Sequence, residues 1–155
     1  MSRRLAGYDY TQPGFYFVTL CTEQHRPVFG TIANGQMSLR RPGQIAETLW
    51  VSLSRRFSHV KLDAYVFMPN HLHGIIQLTE LDPTSTAPRV PLGEIVRTFK
   101  AVTAYQIRHG EGTPWFAWQA DYYDTVIRTE RALQQVRRYI SENPLRWTKD
   151  EWYRR

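Results

Sequence analysis

The chain has 155 residues, of which 42% are hydrophobic and 22% are charged, so the composition excludes a disordered chain and a large two-domain enzyme. A formal net charge of +6 is typical of proteins that bind polyanions. A single cysteine, Cys21, excludes an internal disulfide framework, and the absence of a long apolar stretch or signal core predicts a protein of the cytoplasm with no membrane partner.

The first half of the chain predicts a strand, a hairpin, a helix and two further strands. In chain order these elements span residues 15–22, 28–33 with 36–39, 41–57, 62–68 and 71–79. The hairpin prediction depends on Asn34-Gly35, which is the strongest short hairpin signal. The helix prediction depends on apolar residues that recur at every fourth position from Ile45 to Phe57. Pro69-Asn70 separates the last two strands, which could pair with each other.

The second half begins with a loop that is rich in Pro, Ser and Thr and spans residues 80–91. A helix over 92–109, a strand over 122–127 and a last helix from about 130 to 142 follow. Thr129 can cap the last helix, and Pro144 marks its end. Strands that alternate with three helices and are joined largely through hairpins predict an α+β fold, an antiparallel sheet with helices packed on one face.

The segment His71-Leu72-His73 is the first candidate site. Side chains alternate along a strand, so both histidines point to one face and Leu72 points to the other. Two imidazoles about 7 Å apart along a strand can chelate one divalent ion. The alternative is a pair of surface or hydrogen-bonded histidines that happen to be neighbours.

Tyr139 and Asn143 form the second candidate site, because residues four apart lie on the same face of a helix. A tyrosine there could act as a nucleophile, and the amide oxygen of Asn143 could bind a metal. The alternative is structural: Tyr139 would be an aromatic at the edge of the core, and Asn143 would cap the helix.

Two further groups mix aromatic and cationic side chains. One runs from Trp118 through Tyr122 and Tyr123 to Arg128, and a structural aromatic cluster is an equally good reading. The other is the pair Arg97 and Lys100 on the second long helix, for which the alternative is a solvated helix face. Aromatic residues beside cations suit single-stranded nucleic acid, since bases stack on the rings and phosphates pair with the cations.

Residues 68–76, MPNHLHGII, resemble the hallmark of the single-tyrosine HUH transposases, and more narrowly that of the REP-associated tyrosine transposases. Three other blocks agree in order: residues 8–19, 118–128 and 138–144. The resemblance covers about residues 5–147 and implies that 1–155 form one transposase domain of ferredoxin-like fold that usually dimerises. It is a small domain, unlike the relaxases and replication initiators of the wider HUH class.

The resemblance also implies a mechanism. His71 and His73 would bind Mg²⁺ or Mn²⁺, with Asn143 as the third ligand, and Tyr139 would attack a DNA phosphodiester. The product would be a 5′-phosphotyrosine and a free 3′-OH. Because the phosphotyrosine preserves the bond energy, rejoining would need no nucleotide cofactor.

The implied partner is single-stranded DNA that carries a hairpin. Trp118, Tyr122 and Tyr123 are candidates to stack on its bases. The candidates to contact its phosphates are Arg97, Lys100, Arg128 and Arg138. A non-catalytic nucleic-acid binder, with the sheet as its stacking surface, is the alternative reading.

Overall fold

A computed structural model describes residues 5–110 and 112–154, and the other positions of the expected 1–155 domain lie outside these ranges. Within them the strands and helices are, in chain order, β1 (Gly14–Cys21), β2 (Gly30–Ala33), β3 (Gln36–Leu39), α1 (Arg41–Val51), α2 (Leu53–Arg56), β4 (Val60–Met68), β5 (His71–Leu78), α3 (Leu92–Arg108), β6 (Tyr123–Ile127) and α4 (Glu130–Glu142). A 3₁₀ segment, Asn143–Lys149, continues directly from α4. Most bounds lie within two residues of those predicted.

The central sheet has four antiparallel strands in the order β4-β5-β1-β6. The chain crosses from β1 to β4 through α1 and from β5 to β6 through α3, which is the ferredoxin-like arrangement. The expected α+β fold is thereby confirmed. Strands β2 and β3 form the predicted hairpin beside it, and Asn34 and Gly35 adopt the positive φ angles that its tight turn requires (54° and 73°).

Helices cover both faces of the sheet, whereas the sequence predicted helices on one face. Helices α1 and α3 pack on the face that contains Val18, Leu72 and Ile76. Helix α4 packs on the opposite face, against Phe17 and Ile75. The physical reason is visible in β1, which carries large apolar side chains on both sides, so each face must be covered from water; the neighbouring strand β5 is likewise buried on both faces.

The predicted helix 41–57 is divided into α1 and α2 at Ser52. The Ser52 hydroxyl donates a hydrogen bond to the carbonyl of Leu49 (2.7 Å), and such local bonds compete with the regular helix. No helix of the described part of the chain is long and apolar enough to cross a membrane.

Candidate active site

His71 and His73 lie side by side on β5, on the sheet face covered by α4. Both are fully buried, and their ring centroids are 4.6 Å apart at an interplanar angle of 74°. The neighbouring strand β1 places Cys21 opposite His71 and Thr19 opposite His73. The two imidazoles therefore share one face, as side-chain alternation predicts.

Hydrogen bonds orient both rings. Asn70 Nδ2 donates to the carbonyls of His25 (3.1 Å) and Trp152 (2.6 Å), so its Oδ1 faces His71 Nδ1 at 2.7 Å and accepts that proton. His71 Nε2 then carries the lone pair. His73 Nδ1 lies 2.7 Å from Thr19 Oγ1, and this hydrogen bond fixes the orientation of the second ring.

The electrostatics keep both imidazoles neutral. Burial lowers the pKa of His73 to about 3. Burial, followed by the proximity of His73, lowers the pKa of His71 well below its usual value. At neutral pH both Nε2 atoms can therefore donate a lone pair.

Tyr139 reaches the histidines from α4. Thr129 caps this helix, because its Oγ1 accepts from the Ala132 amide (3.0 Å). Two hydrogen bonds from Arg137 to Asp63 of β4 (2.9 and 2.7 Å) hold the helix on the sheet. Tyr139 is 39% exposed, and its ring centroid lies 5.2 Å from that of His73.

Asn143, one turn beyond Tyr139, completes the group. Its side chain is buried and lies close to both groups, where it offsets part of the lowering of the His71 pKa and part of the raising of the Tyr139 pKa. Among the described residues, His71 Nε2, His73 Nε2 and Asn143 Oδ1 are buried without a hydrogen-bond partner of good geometry. Buried polar atoms without a hydrogen bond lower the stability of the folded protein. Together these three form a neutral set of nitrogen and oxygen ligand atoms that fits a divalent cation. No three His, Cys, Asp or Glu side chains of residues 5–110 and 112–154 form a metal site, so this set depends on the Asn143 amide.

The hydroxyl of Tyr139 is protonated in this environment. Burial raises its pKa above the ordinary value of 10.0, and the carboxylates of Asp150 and Glu151 raise it further. Asn143 and Arg146 act in the opposite direction. A nucleophilic role for Tyr139 therefore requires help with ionisation.

Sequence reasoning missed the segment that covers the histidines. The Trp152 ring centroid is 4.9 Å from that of His71 and 6.0 Å from that of His73. Asp150 Oδ2 lies 3.8 Å from His71 Nε2. The aromatic and basic composition of residues 147–155 was the available signal, but it does not say where this segment docks.

Four of the seven candidate DNA contacts line one groove of about 680 Å³ between α3 and the segment before β6; they are Arg97, Lys100, Trp118 and Tyr122. Lys100 Nζ donates to the carbonyls of Gln119 (2.9 Å) and Asp121 (2.8 Å), and Trp118 Nε1 donates to Thr103 Oγ1 (3.2 Å). These two side chains therefore hold the segment on α3.

The other three candidates lie elsewhere. Tyr123 lies on the histidine face, where its ring is nearly parallel to that of Trp152 (6.3 Å, 24°). The Arg128 guanidinium lies 5.9 Å from the centroid of the Tyr8 ring. Arg138 is exposed on α4. The candidate contacts are thus divided between the two faces of the sheet.

Comparison with known proteins places the chain in a family. No family model matches it. An uncharacterized protein of Haemophilus influenzae is 37% identical over 167 aligned residues, which cover 98% of this chain and 92% of that protein. The chain belongs to this protein's family.

A solved structure has a fold similar to that of this chain. The REP-associated tyrosine transposase bound to a REP hairpin is 21% identical and has a TM-score of 0.67, over 98% of this chain and 76% of that chain. The chain therefore has the fold of a REP-associated tyrosine transposase. The resemblance expected from residues 68–76 is confirmed in the fold.

Proposed function

We propose that this protein cleaves and rejoins single-stranded DNA through a phosphotyrosine formed on Tyr139. The observation that carries the proposal is a set of three buried atoms that lack a hydrogen bond of good geometry and lie beside this tyrosine: Nε2 of His71, Nε2 of His73 and Oδ1 of Asn143. The structural alternatives do not account for these atoms, because a core histidine that served packing alone would bond through both ring nitrogens, and a capping asparagine would bond through its side-chain oxygen.

These three atoms would hold Mg²⁺ or Mn²⁺. The ion would neutralise charge on the scissile phosphodiester and orient it for in-line attack. Asn70 and Thr19 contribute by fixing the two rings so that each Nε2 faces the site, and such supporting bonds tune ligand basicity.

The chain's own step is nucleophilic substitution at phosphorus. Tyr139 Oη loses its proton and forms a bond to phosphorus, while the bond to the 3′ oxygen breaks and that oxygen takes up a proton. A second 3′-OH can reverse the step and join a new strand. No nucleotide cofactor is needed, because the number of phosphoester bonds does not change.

Access to the histidines requires movement of the C-terminal segment. Both Nε2 atoms are buried, and Trp152 lies against both rings. Residues 150–154 must therefore move aside before a phosphodiester can reach the site. Trp152→Ala is expected to accelerate the reaction.

The proposed substrate is DNA with a hairpin, because the structural neighbour is bound to a REP hairpin and this chain carries a net charge of +6. The proposal includes residues 1–155 as one transposase domain, a location in the cytoplasm and the homodimer that the resemblance implies. Sedimentation of the purified protein, alone and with hairpin DNA, measures the oligomeric state.

The test is a covalent adduct assay. Protein, Mn²⁺ or Mg²⁺ and hairpin DNA from sequence that flanks the gene are incubated and separated on a denaturing gel. We expect an adduct with the natural protein, none with Tyr139→Phe, and an undiminished adduct with Tyr65→Phe, which removes a hydroxyl from a half-buried tyrosine on the other face of the sheet.

Metal binding is tested separately. Titration of Mn²⁺ followed by electron paramagnetic resonance should show a bound ion that His73→Ala loses and Tyr139→Phe retains. An adduct that persists in Tyr139→Phe would disprove the assigned nucleophile. DNA binding without any adduct would favour the non-catalytic nucleic-acid binder.

A further inference from the structure

The groove beside α3 lies on the sheet face opposite the histidines. Its floor is built from small residues at helical spacing, Gly93, Ala101 and Ala104, and the segment that contains Trp118 and Tyr122 forms the facing wall. Small side chains on one stripe of a helix make its surface concave. The volume of about 680 Å³ lies within the range of small-molecule sites, roughly 300–1,000 Å³.

The charge of the groove is mainly positive. Arg97, Lys100 and Arg108 line it, together with one acid, Asp121. The ammonium of Lys100 bonds to carbonyls, but Arg97 is exposed at the rim. An arginine in this position can grip a phosphate with two parallel hydrogen bonds.

The groove also presents an exposed aromatic ring. Tyr105 is 64% exposed and its ring centroid lies 4.1 Å from that of His109, at an interplanar angle of 30°. An exposed aromatic ring in a groove that arginine and lysine side chains also line is suited to stack on a nucleobase. Tyr105 was not among the residues that the sequence singled out.

We propose that this groove binds one unpaired nucleotide of a DNA strand, with its base against Tyr105 and its phosphate on Arg97. The proposal rests on the proposed function for the choice of DNA as ligand, but not on cleavage. Tyr122 lines the groove, and its neighbour Tyr123 lies against Trp152 on the histidine face. Because β6 is an edge strand, a DNA strand that passes around this edge can occupy the groove and still reach Tyr139.

The experiment compares two labelled DNA hairpins by fluorescence anisotropy. One has blunt ends, and the other has the same stem with an unpaired extension. The groove variants are Arg97→Glu, Tyr105→Ala and Ala101→Trp, of which the last fills the groove without a change of charge. The matched controls are Arg55→Glu on α2 and Gln106→Trp, an exposed α3 position that does not line the groove.

We expect the groove variants to weaken binding of the extended hairpin and to leave the blunt hairpin unchanged. Tyr105→Ala should lose about 5- to 150-fold in affinity, which is the range for one stacked base. Arg97→Glu should also reduce the slope of log affinity against log salt by about 0.7, as expected for one lost contact to a single strand. A 5-iodouracil base in the extension should crosslink to the α3 peptide that contains Tyr105.

Equal affinity of the natural protein and the groove variants for the extended hairpin would overturn the proposal. An equal loss on both hairpins would also overturn it, since that result indicates general electrostatic attraction. A change in sedimentation without a change in DNA binding would assign the groove to a second copy of the chain instead. Natural protein that binds neither hairpin would overturn it as well.

Failure of this proposal is distinguishable from failure of the proposed function. Tyr139→Phe should bind both hairpins like the natural protein, because it lies on the other face of the sheet. The anisotropy results can therefore be interpreted even if no covalent adduct forms.

Discussion

Gly74 follows the two histidines on β5, and we predict that Gly74→Ala destabilises the protein through one contact. A methyl group at this position would lie 2.5 Å from Cζ2 of Trp50 and 3.1 Å from its Cη2. Trp50 is fully buried on α1, where its ring packs edge-on against Phe99 (5.3 Å, 83°). The indole therefore has to shift before the methyl group can be accommodated.

The size of the effect follows from two opposing contributions. Overpacking of a close-packed core costs about 1–3 kcal/mol. The lower entropy of the unfolded chain with alanine offsets about 0.4–1 kcal/mol of this. The net loss of unfolding free energy should be about 1–2 kcal/mol, which corresponds to a decrease in Tm of roughly 2–8 °C for a chain of this length.

A double-mutant cycle with Trp50→Phe tests the contact directly. The smaller phenylalanine ring leaves room for the methyl group. Trp50→Phe loses packing, but it also removes the buried Trp50 Nε1, which has no hydrogen-bond partner among the described residues, so part of the lost free energy is regained. We expect the double variant to be more stable than the sum of the single variants by about 1–2 kcal/mol. Urea unfolding followed by circular dichroism at 222 nm gives the four free energies.

Two results would contradict this reasoning. Additive free energies around the cycle would mean that Gly74 and Trp50 do not conflict. A Gly74→Ala variant as stable as the natural protein would mean that β5 moves freely away from α1.

Three further predictions concern the supports of the site. Asn70→Ser should weaken Mn²⁺ binding about 10- to 100-fold, measured by calorimetry, because the Asn70 side chain orients His71; an unchanged affinity would exclude this role. Hydrogen bonds from Arg137 lower the pKa of Asp63, so the ion pair stabilises the folded protein above the unfolded pKa of about 3.8 and loses its effect as pH falls through the lower folded pKa. Arg137→Gln should therefore destabilise the protein at pH 7 and less at pH 3, and equal losses in urea unfolding at both pH values would refute the prediction. Burial raises the pKa of the Cys21 thiol to about 12, so it should react with a disulfide reagent only after unfolding, and rapid labelling of the native protein would contradict its placement.

Local patterns in the sequence predicted the elements and the pairs of residues within them. The alternation of side chains placed His71 and His73 together, and the four-residue spacing placed Tyr139 near Asn143. These predictions succeed because each depends on the geometry of a single strand or helix. The contact of Tyr139 and Asn143 with the two histidines depends on the order of the strands and on the face that α4 covers. Only the resemblance to a transposase family predicted this contact.

Other features depend on how distant segments dock. The position of Trp152 over the histidines follows from the path of the chain after α4, which no periodicity records. The hydrogen bonds of Lys100 to two carbonyls likewise depend on the course of the segment before β6. The position of helices on both faces of the sheet could have been predicted, because an unbroken apolar run such as Phe15–Val18 is typical of a strand buried on both sides.

The hydrogen bonds around the two histidines connect parts of the chain that are far apart in sequence. The hydrogen bond from Asn70 to Trp152 spans 82 positions, and the contact between Thr19 and His73 spans 54. Contacts of this kind form late in folding, because closing a long loop costs entropy before it gains any contact. Synthesis runs from the N-terminus, so the histidines emerge from the ribosome well before Tyr139, and a chain that stalls between them carries the proposed metal ligands of β5 without the proposed nucleophile. Under the proposed function, an unfinished copy should for this reason be unable to nick DNA.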